Sequence, residues 1–439
     1  MKKILVLCLM CFLILSPEIF SEGAKEKKAA GSGELTIMAA SGLDVWGPVW
    51  DNFNKTYPNI KINHIQTLGT GEAWEQKVAT AVIGGENLDI VQSNVFTYYN
   101  LASKGYFEDL EPYFKKDGID YTTYFGSLTD SMKIPRGKVD GFPWYNSPWL
   151  MFYNKKLMDG AGLSYPVVGW TWDQFENYSA KLTRGEGANK VYAYYGHTWD
   201  ICLALFGTEA ARGDYYKNSK VNIKDPRFQK GITFYKNLID KGYAVPIKDM
   251  KSLKMHYSGT FLTEKAAMIY MGAWTFQYIK DKQKFPHAWL PGITSLPIPD
   301  SSYPQNYTTG APSTASIVAR SKNKELAWEF VKFFVTDPYN QILVAKQLGG
   351  LAVYIPKGRE QELFGGMLQD SDIPISEAQA LTGPPALTFF AEKPIGPAAP
   401  AYGRIIEEEL PLYYNGEKDL AATLDTIEKR VNEAIQTAK

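Results

Sequence analysis

Leu35 to Ala40 is apolar except at Thr36, and it predicts a buried first strand. Ser41-Gly42-Leu43-Asp44 then reads as a turn feeding a helix. On that helix Trp46, Val49, Trp50 and Phe53 recur at i, i+3, i+4 and i+7 as one core-facing stripe. Tyr57-Pro58-Asn59 stops it, because the residue before a proline is pushed out of the helical region. Ile60 to Ile65 alternates as a second strand. Trp74, Val78, Ala81 and Val82 line a second helix ended by Gly84-Gly85, and Leu88 to Val91 makes a third strand. This β-α-β-α-β order predicts a parallel, doubly wound sheet with right-handed crossovers. Another helix is expected from Tyr98 to Lys104, stopped at Gly105.

From Val139 to Asn154 the pattern changes to VDGFPWYNSPWLMFYN, with prolines and aromatics on either side of Asn146-Ser147. Proline removes a ladder donor from a central strand, so Trp144 to Trp149 is read as the chain leaving one sheet for another. The α/β pattern then resumes. Thr171 and Gln174 have the spacing of a capping box, with Phe175, Tyr178 and Leu182 on one helix face. Asp225-Pro226 reads as an N-cap with proline in the first turn, ahead of Phe228, Ile232, Tyr235 and Ile239. Ala266 to Met271 has no polar face and suits a strand buried on both sides. Gly272 and Ala273 follow, small enough for other atoms to approach the backbone, and then Trp274. Ligands of open parallel sheets sit outside the strands' carboxyl ends, which makes Trp274 either a surface aimed at a ligand or a core plug. Ser321 to Val335 is an amphipathic helix with Leu326, Phe330, Val331 and Phe334 inward, and Asp337-Pro338 caps another. Residues 383 to 400 read as a wrapped loop, and the tail closes with a helix carrying Leu420, Leu424, Ile427 and Val431.

Composition narrows the class. The 439 residues are 45% hydrophobic and 21% charged, enough for more than one core of a soluble globular protein. A formal net charge of zero leaves no electrostatic footprint for nucleic acid. Lys2-Lys3 before an apolar run from Ile4 to Leu15, broken by Ser16-Pro17, predicts a secretory signal peptide over 1–21. Residues 22–33 then form a flexible leader. Cys8 and Cys11 lie inside the apolar run, too early for lipidation, so a free periplasmic product is expected, with a lipid anchor as the alternative. Without the peptide, Cys202 is the one remaining cysteine, which excludes an internal disulfide. The four histidines, His64, His197, His256 and His287, show no metal-ligand spacing, and no phosphate-cradling glycine motif occurs. No cofactor is expected.

Seven segments occur in the order found in one family. They are Phe53 to Ile62, Leu88 to Val91, Leu101 to Tyr113, Gly141 to Leu157, Thr171-Trp172-Asp173, Phe261 to Trp274, and Ser321 to Phe334. Together they resemble the extracellular solute-binding proteins of sugar ABC transporters, the maltose-binding-like group, across nearly all of the mature chain. Glu264 departs from the family's F-x-x-G-K-A-A-M pattern, where glycine is common. The resemblance implies two α/β lobes, each a mainly parallel sheet flanked by helices, hinged by chain crossings and closing on ligand. It further implies a first lobe of 34–145 and 272–335 and a second of 148–270 and 340–439. The expected function is capture of a mono- or oligosaccharide and its delivery to membrane permease subunits and their ATPase, by a monomer that is not an enzyme.

A sugar shows an apolar C–H face and a rim of hydroxyls, so its site needs flat aromatics and paired polar groups. Carried over from the family, the candidates are Asp44 and Trp46 after the first strand and Asn94 after the third. Trp144 and Asn146 stand at the crossing, with His197, Trp199, Trp274 and Tyr402 further along. Each has a structural alternative: helix cap for Asp44, core packing for Trp46, strand end for Asn94, hinge brace for Trp144. The rival function is an exported glycoside hydrolase, which needs two carboxylates roughly 5 to 10 Å apart. Glu407-Glu408-Glu409 is the obvious acidic run and reads as a solvated helix face. A polyamine binder would need several acidic groups at the cleft, and a ferric-ion binder would use tyrosine pairs such as Tyr98-Tyr99 or Tyr194-Tyr195.

Overall fold

The computed structural model describes residues 33–40, 43–67, 72–85, 87–122, 132–133, 137–352, 358–382, 388–394 and 398–437. The expected signal peptide, and the leader except Gly33, lie outside the described residues. Twelve strands are described. They are β1 (Gly33–Ala39), β2 (Ile60–Gln66), β3 (Ile90–Asn94), β4 (Phe142–Asn154), β5 (Tyr192–Tyr195) and β6 (Tyr216–Lys217). The rest are β7 (Lys220–Val221), β8 (Ala266–Gly272), β9 (Pro291–Thr294), β10 (Tyr307–Ile317), β11 (Leu351–Ala352) and β12 (Thr388–Ala391). All but β6 and β7 join one sheet of order β2-β1-β3-β10-β4-β8-β5, with β9 and β11 on β4 and β12 on β10. Pairing is parallel for β2-β1-β3 and for β5-β8, and antiparallel where β4 and β10 run between them.

Two cores divide along β4. One gathers Leu35 to Tyr145 with Ala315 to Val335; the other gathers Trp149 to Tyr307 with the late helices up to Ile435. All thirteen residues of β4 are buried. Its first half pairs with β10 and β11, its second half with β8 and β9. The proline-aromatic stretch is therefore one unbroken strand shared by two lobes. Pro148 sits opposite Gly310, immediately before β4 changes partner at Trp149.

The structure moves the return crossing. The expectation put it at the end of Ala266 to Met271, with 272–335 in the first lobe. Instead β9 pairs with β4 at Met151–Asn154, and Phe276, Ile279, Leu296 and Ile298 belong to the second core. The chain goes back along β10, whose Ser313–Ile317 pairs with β3. The helix Lys324–Thr336 packs in the first core, and Asp337 caps the next helix, Pro338–Leu348, by accepting from Asn340 N. That second helix touches both cores, through Val344 on one side and Ala345 on the other.

Local expectations about caps hold at Thr171, which forms the full capping box with Gln174, and at Asp225, which accepts from Arg227 N. The loop expected over 383–400 contains β12, paired in parallel with Tyr307–Gly310 of β10, and the start of the helix Ala399–Tyr414. Glu264, the departure from the family pattern, has φ +60°. Glycine enters that left-handed region freely, and an L side chain does so at a cost. No described helix is long and apolar enough to cross a membrane.

Candidate functional site

A cleft of about 310 Å³ opens between the two cores. Its first wall comes from the carboxyl ends of the first lobe's strands: Ala40 just past β1, and Gln92, Ser93 and Asn94 ending β3. That is where an open α/β sheet leaves room for a ligand. Trp46, Trp74, Trp144, Tyr145 and Ser313 complete this wall, Trp274 and Gln277 face it from the second lobe, and Leu348 closes one end.

Trp144 reaches the cleft through a register shift. Along β4, Tyr145 pairs with Ser313 and Pro143 with Thr314, so Trp144 is the extra residue of a bulge. A bulge bends its strand and re-aims a side chain, here onto the edge of Trp46 at 5.1 Å between ring centroids and 72°. Trp46 also stacks on Trp50 and meets Phe334 edge-on, so it both packs the core and lines the cleft. Asn94 likewise has two roles. Its Oδ1 accepts from Thr97 N at 2.9 Å, at the start of the helix Val95–Ser103, and the residue also lines the cleft.

Trp274 owes its position to Gly272. A Cβ on Gly272 would lie 2.0 to 2.4 Å from three atoms of the Trp274 six-membered ring, so the indole lies directly against the strand's backbone. The atoms that the small residues admit are those of the tryptophan itself. Its Nε1 donates to the Tyr257 hydroxyl at 3.1 Å, and its ring meets Trp149 edge-on at 5.3 Å and 83°. His197 and Trp199 stand one ring back. They stack on each other at 4.3 Å, and Trp199 lies 6.4 Å from Trp274. His197 Nδ1 accepts from Thr198 N, and burial, with His256 beside it, pushes the imidazole pKa down to about 4. It is therefore neutral near pH 7.

Two candidates lie elsewhere. Asn146 is buried in the sheet, in register with Pro312 of β10 and Leu351 of β11, and does not line the cleft. Tyr402, on the helix Ala399–Tyr414, is 2% exposed and packs against Tyr215 and Tyr216 in the second core. The Asp44 side chain lies outside the described residues. Sequence reasoning passed over Trp74, Gln92, Ser93, Tyr145, Gln277 and Ser313. Gln92 and Ser93 could have been found from their place at a strand end beside Asn94. Gln277 lies three residues past Trp274, one helical turn away. Ser313 had no signal, because its place depends on the course of β10.

The lining of the cleft carries no charged side chain among the described residues. Among the described residues the indole N–H groups of Trp46, Trp74 and Trp144, and both amide atoms of Gln92, are buried without a hydrogen-bond partner. Buried polar atoms are rarely left so, and these four residues all belong to the lining of the cleft. The acidic run is structural: Glu408 pairs with Arg404 and Arg430, and Glu409 with Arg430 and Lys418. The tyrosine pairs do not converge either. Tyr98 donates to Met132 O, Tyr195 to Met255 O, and Tyr194 is buried among aromatic rings. No group of three metal-ligating side chains occurs among the described residues.

Comparison with known proteins agrees with this architecture. The chain is 25% identical over 408 residues to the sn-glycerol-3-phosphate-binding periplasmic protein of Salmonella typhimurium, covering 88% of this chain and 87% of that one. It is 25% identical over 341 residues to the maltotriose-binding protein of Pyrococcus abyssi, covering 75% and 68%. A crystal structure of a sugar transporter from Rhizobium etli, in an open conformation, superposes with a TM-score of 0.76 at 22% identity, over 91% of this chain and 99% of that one. Residues 39–341 match the family described as bacterial extracellular solute-binding protein. The chain thus belongs to that family, whose members are solute receptors of ABC importers and not enzymes.

Proposed function

We propose that this receptor captures a neutral, polyhydroxylated solute, a sugar or a polyol, between its lobes outside the cytoplasm and delivers it to an ABC permease. One observation carries the reading: a cleft lined by Trp46, Trp74, Trp144 and Trp274 together with Gln92, Ser93, Asn94 and Gln277, and by no charged side chain among the described residues. Indole faces suit a sugar's C–H face, and N–H donors suit hydroxyl oxygens. Trp46, Trp144 and Trp274 would supply the stacking surfaces, with Asn94 and Gln92 as the polar anchors. His197 and Trp199 would back Trp274. Contacts made with both lobes at once would favour the closed form, since a ligand shifts an equilibrium only by its differential affinity for the two states.

The glycerol phosphate named for the Salmonella relative is the second reading. It fits less well, because no Lys, Arg or His lines the cleft among the described residues. A phosphate dianion would enter without a charged partner. Thermal-shift screening of the mature protein separates the two. A solute at a hundred times its Kd stabilises by about 2.7 kcal/mol, a readily measured rise in Tm. Saccharides and polyols are expected to raise Tm and sn-glycerol-3-phosphate to leave it unchanged; the reverse pattern would overturn the proposal.

Gln92 gives a sharper test. Its amide is 4% exposed and both its polar atoms lack partners among the described residues. An unsatisfied buried polar group costs about 1–3 kcal/mol. Gln92→Leu should therefore raise the Tm of the ligand-free protein and weaken solute binding at least tenfold by calorimetry. A variant that loses stability and keeps its affinity would remove Gln92 from the site.

A further inference from the structure

Behind the cleft, on the second lobe, the carboxylates of Glu392, Asp200 and Glu407 all act on the charge of Lys393, and Asp200 pairs with it directly. Glu392 follows β12, and its Oε2 accepts from Trp149 Nε1 at 3.0 Å. Lys393 Nζ pairs with Asp200 Oδ1 at 3.1 Å, and Asp200 N donates to Glu407 Oε1 at 3.1 Å. The Glu392 backbone is pinned, since its carbonyl accepts from the Tyr215 hydroxyl at 2.7 Å. Trp149 is the residue at which β4 passes from one lobe's pairing to the other's, and its ring is 1% exposed. Its edge meets Trp274, and its face is tilted toward Tyr270 at 5.6 Å. A continuous line of contact thus runs from a carboxylate to the ring that forms the second wall of the cleft.

We propose that Glu392 is a positioning residue of the cleft, holding the Trp149 ring through its N–H and thereby setting the tilt of Trp274. This rests on the reading of Trp274 as a surface for the captured solute. The ionised carboxylate makes the stronger bond, because a charge-assisted hydrogen bond is roughly twice as strong as a neutral one. Burial, with Asp200 adding to it, pushes the Glu392 carboxyl up to about 7, while Lys393 and the Trp149 bond oppose the rise. Burial also keeps the surrounding Cys202, Tyr215 and Tyr270 uncharged near neutrality. The groups that face Glu392 with charge are therefore Lys393, Asp200 and, through Asp200, Glu407. The Trp274 platform is firmest above neutrality and loosens as Glu392 takes up a proton.

The test needs no ligand, so it stands or falls apart from the identity of the solute. Indole N–H resonances of the ligand-free mature protein are followed from about pH 5.5 to about pH 8.5, a window that brackets the neutral range. Trp149 and Trp274 are assigned by Trp→Phe variants. Both resonances should move together with one midpoint near 7. Glu392→Gln keeps an acceptor oxygen but cannot ionise, and should hold both at their acid-side positions at every pH. Trp149→Phe removes the donor and should abolish the Trp274 titration, with the other indole signals reporting an intact fold. A Trp274 signal that stays still while Trp149 titrates would overturn the proposal. So would a titration that survives in Glu392→Gln, which would assign it to another group. With any solute that the screen identifies, wild-type affinity should rise a few-fold across neutrality, and that of Glu392→Gln should not change with pH.

Discussion

Trp274→Ala is expected to weaken solute binding by about 2 kcal/mol, roughly thirtyfold, while the protein stays folded. The ring presents itself to the cleft as a flat surface, and it is held on three sides: the Gly272 backbone beneath, the Tyr257 hydroxyl at its N–H, and the Trp149 edge. A surface so fixed gives up little freedom when a solute stacks on it, which is how a single tryptophan comes to dominate a site. Truncation removes the surface and its preorganisation together. Trp274 is only partly buried, so the second core loses a peripheral contact and the fall in Tm should be small. Trp274→Phe should retain part of the affinity, since it keeps a ring but forfeits the bond to Tyr257. Calorimetry on the solute with the largest thermal shift measures both; an alanine variant with wild-type affinity would take Trp274 out of the site.

Gly272→Ala is expected to reproduce most of that loss without touching the tryptophan. The added methyl would meet Cζ3 of Trp274 at 2.0 Å, far inside van der Waals contact, and the ring must swing off the backbone. The φ of Gly272 is not positive, so alanine can adopt the backbone itself. The penalty therefore falls on the position of the ring. Crowding of this kind costs about 1–3 kcal/mol where neighbours cannot yield, and less where a side chain can turn away. Binding should fall tenfold or more and stability by much less. The two substitutions act on one ring and should not add. A Gly272→Ala/Trp274→Ala double variant should bind no worse than Trp274→Ala alone, and the stability cost of the added methyl should disappear. Independent, additive losses would mean that Gly272 serves the strand and not the ring.

Much of the local structure was legible because it is decided by neighbours in the chain. The stripe of Trp46, Val49, Trp50 and Phe53, the capping box at Thr171, the N-cap at Asp225, and the strand at Ala266 all follow from spacing of a few residues. Repetition of such units pointed to two α/β segments with a crossing between them, and the resemblance to the family implied the two hinged lobes. Two of the cleft's lining residues were legible for the same reason: Asn94 ends β3 and Trp274 stands just past β8, where the topology opens a crevice.

What could not be read is the course of β10. Tyr307–Ile317 is rich in Thr, Ser, Gly and Pro and carries no apolar pattern, yet Thr308, Thr309 and Thr314 are fully buried. Partners remote in sequence make this possible. Thr314 bonds Ser93, Thr308 bonds Tyr270, and Thr309 donates to Phe390 O. Burying a hydroxyl without its hydrogen bond is costly, and no periodicity in one segment announces partners 38, 81 and 221 residues away. With no element read over Tyr307–Ile317, the return crossing was put at Met271 and Ser313 went unseen.

By itself, then, the chain's order of apolar and polar residues determined many of the helices, the strands β1, β2, β3 and β8, several caps and the α/β class, because those depend on contacts a turn or a strand-width apart. The tertiary structure alone decided which tryptophans face the cleft. Trp144 is turned by a bulge against β10, Trp274 is laid down by the missing side chain of Gly272, and Tyr402 is drawn into the second core by Tyr215 and Tyr216. Each outcome is set by packing between segments far apart in the chain, and the side chain's own type is the same in either place.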